Sequence, residues 1–207
     1  MFCAKFSVPF VQDSVFYCDS IYGQAVKQPG IVLFVALAGY LLPEHLTSLV
    51  NRQPASLVWL RFGQEDRDPA TCLLSLISSA SQINPKIGSQ TLEQMRRQPG
   101  PVDGWPPLFV TLAHELIDGL PAATVMVFEH AHQLINAHHP TLWLLGHYLL
   151  EDLASHFPCI LTSHQDIPLA ALPVGVRQFK ASDLRVDEYA ALALARQTGL
   201  NLPEKSI

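Results

Sequence analysis

Short, nearly unbroken apolar runs recur along the chain at residues 31–36 (IVLFVA), 57–62 (LVWLRF), 124–128 (TVMVF), 159–163 (CILTS) and, more weakly, 176–179. Apolarity at every position, rather than at every second one, predicts strands covered on both faces, as in a parallel sheet. Between the runs the period changes to that of amphipathic helices. Pro43-Glu44 opens a helix expected to reach about residue 52. Asp68-Pro69 supplies an N-cap followed by proline at the first helical position, for a helix running to about residue 83. Residues 105–119 form an amphipathic stretch that ends on Gly119, and Pro140 opens a helix to about residue 156. Asp187 caps a last helix over residues 188–197, which Gly199 closes. The polar segment 84–104 reads as loops around one short helix.

This alternation predicts a three-layer α/β/α fold on a mostly parallel, five-stranded sheet with right-handed crossovers. It forms a single domain: a lead-in over residues 1–30, an α/β core over 31–180, and the start of a further helical region over 181–207. Composition narrows the picture. Of 207 residues, 49% are hydrophobic and 15% charged, which excludes intrinsic disorder. A charged fraction below the usual ~25% predicts some apolar surface covered by a partner. A formal charge of −5 offers no electrostatic footprint for nucleic acid. Cys3, Cys18, Cys72 and Cys159 form no C-x-x-C pair and lie in apolar surroundings, which suits reduced thiols in a cytoplasmic protein. The apolar run at 31–42 is too short for a membrane span, and no signal peptide is expected at the start.

Ligands on such sheets bind beyond the carboxyl ends of the strands. There the chain reads Ala36-Leu37-Ala38-Gly39-Tyr40-Leu41-Leu42-Pro43-Glu44 after the first run, Phe128-Glu129-His130-Ala131-His132 after the third, and Thr162-Ser163-His164-Gln165-Asp166-Ile167-Pro168-Leu169 after the fourth. These segments resemble the nucleotide-binding domain of STAND-class signalling ATPases, specifically the MalT-like, large LuxR-type transcriptional regulators. That family reads A-P-A-G-Y-G-K-T-T, L-D-D-A-H and A-S-R-x-x-P-P-L at the corresponding places. The opening Ala4-Lys5-Phe6-Ser7-Val8-Pro9, the stretch from Trp59-Leu60-Arg61-Phe62 to Asp68-Pro69, and Ala181-Ser182-Asp183-Leu184-Arg185 are similar to further family motifs. The resemblance spans about residues 4 to 202 and implies a P-loop NTPase-like fold with spatial strand order 5-1-4-3-2.

The departures from the pattern carry the functional expectation. A P-loop cradles phosphate with backbone N–H groups, and needs a glycine before its lysine to do so. Here that glycine position holds Leu41, the lysine position Leu42, and the Mg²⁺-binding hydroxyl position Pro43, which has no N–H either. The Mg²⁺-holding aspartate position carries Glu129, the acidic position beside it His130, and the arginine position after the fourth strand His164. Removing a charged partner of a buried phosphate costs about 2–5 kcal/mol. A micromolar site is worth only about −8 kcal/mol, so the lysine loss alone moves it towards millimolar.

The resemblance with these departures implies a pseudo-ATPase. No catalytic residue is expected, Glu129, His130 and His164 being vestigial. The phosphate-binding positions Ala36, Gly39, Tyr40, Leu41, Leu42 and Pro43 are vestigial too, with no ATP, ADP or metal bound. The implied role is a regulatory or scaffolding module in signal transduction and transcription regulation. Its partners are proteins or further domains of a regulator, with self-association as one possibility. No direct contact with nucleic acid or membrane is expected.

Other readings of the same residues stand beside this one. Glu129 and His130 form an acid–base pair on paper, the basis for a residual or repurposed nucleotide hydrolase. His130 and His132, with His138 and His139 nearby, resemble a metal nest, although a structural His132 and a solvated 138–139 loop explain them as well. Asp66, Arg67 and Asp68 read either as a nucleotide-proximal loop or as a helix cap amid solvated charges. If no further domain covers them, residues 144–153 and the alanine- and leucine-rich helix at 190–195 would expose apolar faces.

Overall fold

A computed structural model describes residues 25, 27–37, 56–97, 104–135 and 140–184. The expected helices over 44–52 and 188–197, together with Gly39, Tyr40, Leu41, Leu42, Pro43 and Glu44, lie outside the described residues.

The apolar runs form strands β1 (Gly30–Val35), β2 (Leu57–Arg61), β3 (Val125–Glu129), β4 (Pro158–Ser163) and β5 (Arg177–Lys180). They pair in the order β2-β3-β4-β1-β5, and each pairing is parallel. Read from the other edge, this is the order 5-1-4-3-2 that the resemblance implies.

Unbroken apolarity follows from burial on both faces. Leu33, Leu60, Phe128 and Leu161 enter one core, while Val32, Phe34, Trp59, Val127 and Ile160 enter the other. The first core is roofed by helices α1 (Pro69–Ala80), α3 (Pro106–Gly119) and α4 (residues 141–153). Helix α2 (Ser89–Arg97) lies against α3. Helix α4 starts as Thr141–Leu145, passes through a π turn at Gly146–Leu150 and ends at Glu151–Leu153. On the second face, Ala25 and Leu184 join the strand side chains.

Leu144, Leu145, Leu149, Leu150 and Leu153 are all buried in the first core. The apolar face expected to lie open at 144–153 is therefore used internally, against α3. The helix at 190–195 lies outside the described residues.

The π turn opens on a glycine that its neighbour requires. A Cβ on Gly146 would lie 2.1 Å from the carbonyl oxygen of Ala171, so only glycine lets the turn Leu169–Ala171 close against α4. Alanine normally favours a helix over glycine by about 1 kcal/mol. Here the clash is with backbone, which yields less readily than a side chain. Gly146→Ala is expected to destabilise the fold by about 1–3 kcal/mol, the usual range for overpacking. Urea unfolding followed by circular dichroism measures this, and an unchanged or raised midpoint would contradict the packing described.

Candidate functional site at the strand ends

The carboxyl ends of β1, β3 and β4 meet where the sequence placed its chemistry. Ala36 is buried just past β1, its N–H donating to the Ser163 carbonyl at 3.0 Å. The next residue, Leu37, is 68% exposed.

Glu129, the last residue of β3, is fully buried. Its register partner on β2 is Arg61, so both side chains emerge on the same face two residues beyond Val127 and Trp59. Oε2 accepts from Trp59 Nε1 at 2.8 Å and from Arg61 Nε at 2.9 Å. Oε1 is buried without a hydrogen-bond partner among the described residues. The carboxylate is thus fixed to the neighbouring strand by a cation on one side and an indole on the other. Sequence reading singled out Glu129 but missed both partners, which lie 70 and 68 positions earlier.

His130 follows in the left-handed region, φ 60 and ψ 39, which histidine tolerates better than most residues. That backbone turn starts the short 3₁₀ segment Ala131–Leu134. The His130 N–H donates to Thr162 Oγ1 at 3.3 Å. The rings of His130, His132 and His164 gather with centroids 4.7 Å apart for His130–His164, 5.1 Å for His132–His164 and 5.5 Å for His130–His132. In the sequence His130 and His164 read as vestigial positions and His132 as a structural histidine or, with His130, half of a metal nest; the fold brings all three rings together. Among the described residues no hydrogen bond joins Glu129 to His130, and the two side chains keep different company.

His132 Nδ1 accepts the backbone N–H of His164 at 3.2 Å. An accepting Nδ1 places the ring proton on Nε2, 3.2 Å from Gln133 Nε2. That amide nitrogen is also a donor, so the Gln133 amide pairs with the ring only when turned to present its oxygen. Among the described residues, no group of three or more His, Cys, Asp or Glu side chains is arranged to hold a metal. Magnesium also fits poorly. It needs near-octahedral oxygen ligands, whereas this corner offers imidazoles and a single spare carboxylate oxygen next to a guanidinium. His138 and His139 lie outside the described residues.

Burial, then the charge of His164, lowers the pKa of both His130 and His132 from 6.5 to about 4; Arg61 adds to the effect on His130 and His130 to that on His132. Both rings are thus neutral near pH 7. Between pH 4 and 6.5 the unfolded chain binds protons at these positions that the folded chain does not. Stability supplied by the neutral rings is therefore present above pH 6.5 and lost as pH falls towards 4. The urea midpoint is expected to drop over that window, and to drop less in the double variant H130N/H132N. Equal slopes in the two proteins would contradict the assignment.

Asp68 accepts from the Thr71 N–H at 2.9 Å and caps α1, so the structural reading of this residue holds. Asp66 is buried, receiving the Gly63 N–H and the Ser75 hydroxyl, each at 2.7 Å. Arg67 Nε donates to the Gln133 carbonyl at 2.7 Å, tying the loop after β2 to the turn after β3. These charges build the loop rather than line an open site.

Cys72 and Cys159 are buried in the core, and burial pushes the Cys159 thiol up to about 12, far from nucleophilic use. A polar cleft of about 480 Å³ between α2 and α3 includes Lys86, His114, Glu115 and Asp118, and none of the strand-end residues. Its Glu115 caps α2, accepting from the N–H groups of Gln90 and Thr91 and from the Thr91 hydroxyl.

The sheet is all-parallel, in the strand order of a P-loop NTPase-like α/β fold, with polar residues at its strand ends. The chain matches no family model and no curated protein. Among solved structures it is similar to the Walker-type ATPase PABY2304 of Pyrococcus abyssi, at 15% identity and a TM-score of 0.47. The match covers 92% of this chain and 61% of that one, so this chain spans less than two thirds of that protein's length. No described helix is long and apolar enough to cross a membrane.

Proposed function

We propose that this chain is a degenerate, STAND-type pseudo-ATPase domain that serves as a regulatory or scaffolding module, in the manner of the MalT-like regulators its motifs resemble. The observation that carries the reading is the state of Glu129. In a working site the carboxylate here must be free to act through metal at the γ-phosphate. In this protein its Oε2 is occupied by Arg61 and Trp59. The sequence at Leu41, Leu42 and Pro43 supports the same reading, because it supplies neither the lysine, the hydroxyl nor the glycine. A domain without turnover acts by binding other proteins or by holding neighbouring domains, and nothing in its charge favours DNA.

The rival reading, a residual hydrolase using Glu129 and His130, needs the two groups to cooperate on one substrate. Glu129 instead faces Trp59 and Arg61, while His130 packs among imidazoles. Phosphate release from ATP with Mg²⁺ is therefore expected to equal the protein-free background. Release that Glu129→Ala or His130→Ala abolishes would favour the hydrolase.

A further inference from the structure

We propose that His130, His132 and His164 form an acid-sensitive latch, in which the neutral His132 ring holds the start of the loop after β4 against the turn after β3, and protonation releases it. The inference stands apart from the nucleotide question, since it concerns what joins two strand ends.

The geometry makes the bond conditional on charge. The His164 N–H can donate to His132 Nδ1 only while that nitrogen carries a lone pair. A proton on Nδ1 sets two N–H groups against each other at the same spot. The surroundings then add repulsion. His130 and His164 lie 5.5 and 5.1 Å away, ring centre to ring centre, and each added positive charge opposes the next.

Among the described residues, the acidic groups on the elements packed around the cluster already have partners. From β2 comes Arg61, which is positive, and from β3 comes Glu129, already bound to it. The 3₁₀ turn Gln64–Arg67 brings Arg67, held by the Gln133 carbonyl, with Glu65 beside it and the buried Asp66. The part of α4 that touches the turn, Thr141–Leu145, carries no charge. Along the loop itself, Asp166 lies 3.5 Å from Lys180 of β5.

The release is local. Ile167 is buried in the core and the Asp166–Lys180 pair spans to β5, so the loop stays anchored farther along. Gln165 stays tied to the Ser163 hydroxyl, so the freed part is His164, at the carboxyl end of the sheet where β3 and β4 stop. Acidification would thus change the shape and charge of this end without unfolding the sheet.

The test is NMR on the full chain labelled with ¹⁵N in backbone and imidazoles, titrated from pH 7.5 to 3. At the upper end His132 is expected as the Nε2–H tautomer. On acidification the His132 ring and the His164 amide should shift together, with a midpoint below the ordinary histidine value, while amides of β3 and β4 stay in place. In H132N the side-chain oxygen takes over the acceptor position without titrating, so the His164 amide should remain bonded throughout. In H164A, loss of the neighbouring charge should raise the midpoint for His132. The proposal is overturned if Nδ1 carries the proton at pH 7.5, if the strand amides leave together with that of His164, or if wild-type and H132N amides titrate alike.

Discussion

Arg61→Met is expected to destabilise the protein by about 3 kcal/mol, the low end of the range for removing one member of a buried ion pair. Glu129 is fully buried while Arg61 is 35% exposed, so the cost falls mainly on the carboxylate left behind. Its remaining donor would be Trp59 Nε1, and Oε1 is already without a partner among the described residues. Methionine keeps most of the volume and the apolar stem, so the change in packing is small. Urea unfolding of the two proteins measures the loss. A loss below about 0.5 kcal/mol, the scale of an exposed pair, would show that Glu129 is not held as described.

The sheet was legible in the sequence because burial on both faces leaves a continuous signal. All five runs became strands with ends shifted by about one residue. The α1 start was equally readable, since Asp68-Pro69 states its cap and its first turn locally. Contacts between distant segments were not readable. Nothing local in Trp59 or Arg61 announces that they bind Glu129; only the parallel register of β2 on β3 brings them together. The histidines show the middle case. Each stood at a strand end already singled out, but their gathering depends on β4 lying beside β3, with His132 and His164 32 positions apart in sequence. The apolar face at 144–153 misled because its cover, α3, cannot be assigned to it without the fold. The need for glycine at 146 comes from the Ala171 carbonyl, 25 residues later.

The departures at Leu41, Leu42 and Pro43 predict the second large effect, an affinity for nucleotide no better than about millimolar. Proline removes one N–H, the two leucines offer no charge, and Glu44 adds a negative charge beside them in sequence, which disfavours phosphate. Replacing the three together, L41G with L42K and P43T, is expected to strengthen binding at least tenfold where the backbone accepts the P-loop path. Hydrolysis should remain at background even then. Arg61 and Trp59 would still hold Glu129, and His130 and His164 would still stand where the family that the motifs resemble has an acid and an arginine. This separates the two halves of the proposal: the loop governs affinity, and the strand ends govern chemistry.

Isothermal titration of the wild-type chain with ATP in the presence of Mg²⁺ tests the pseudo-ATPase reading most directly. The reading predicts no saturable heat up to about millimolar nucleotide. A one-site isotherm with a micromolar Kd would contradict it.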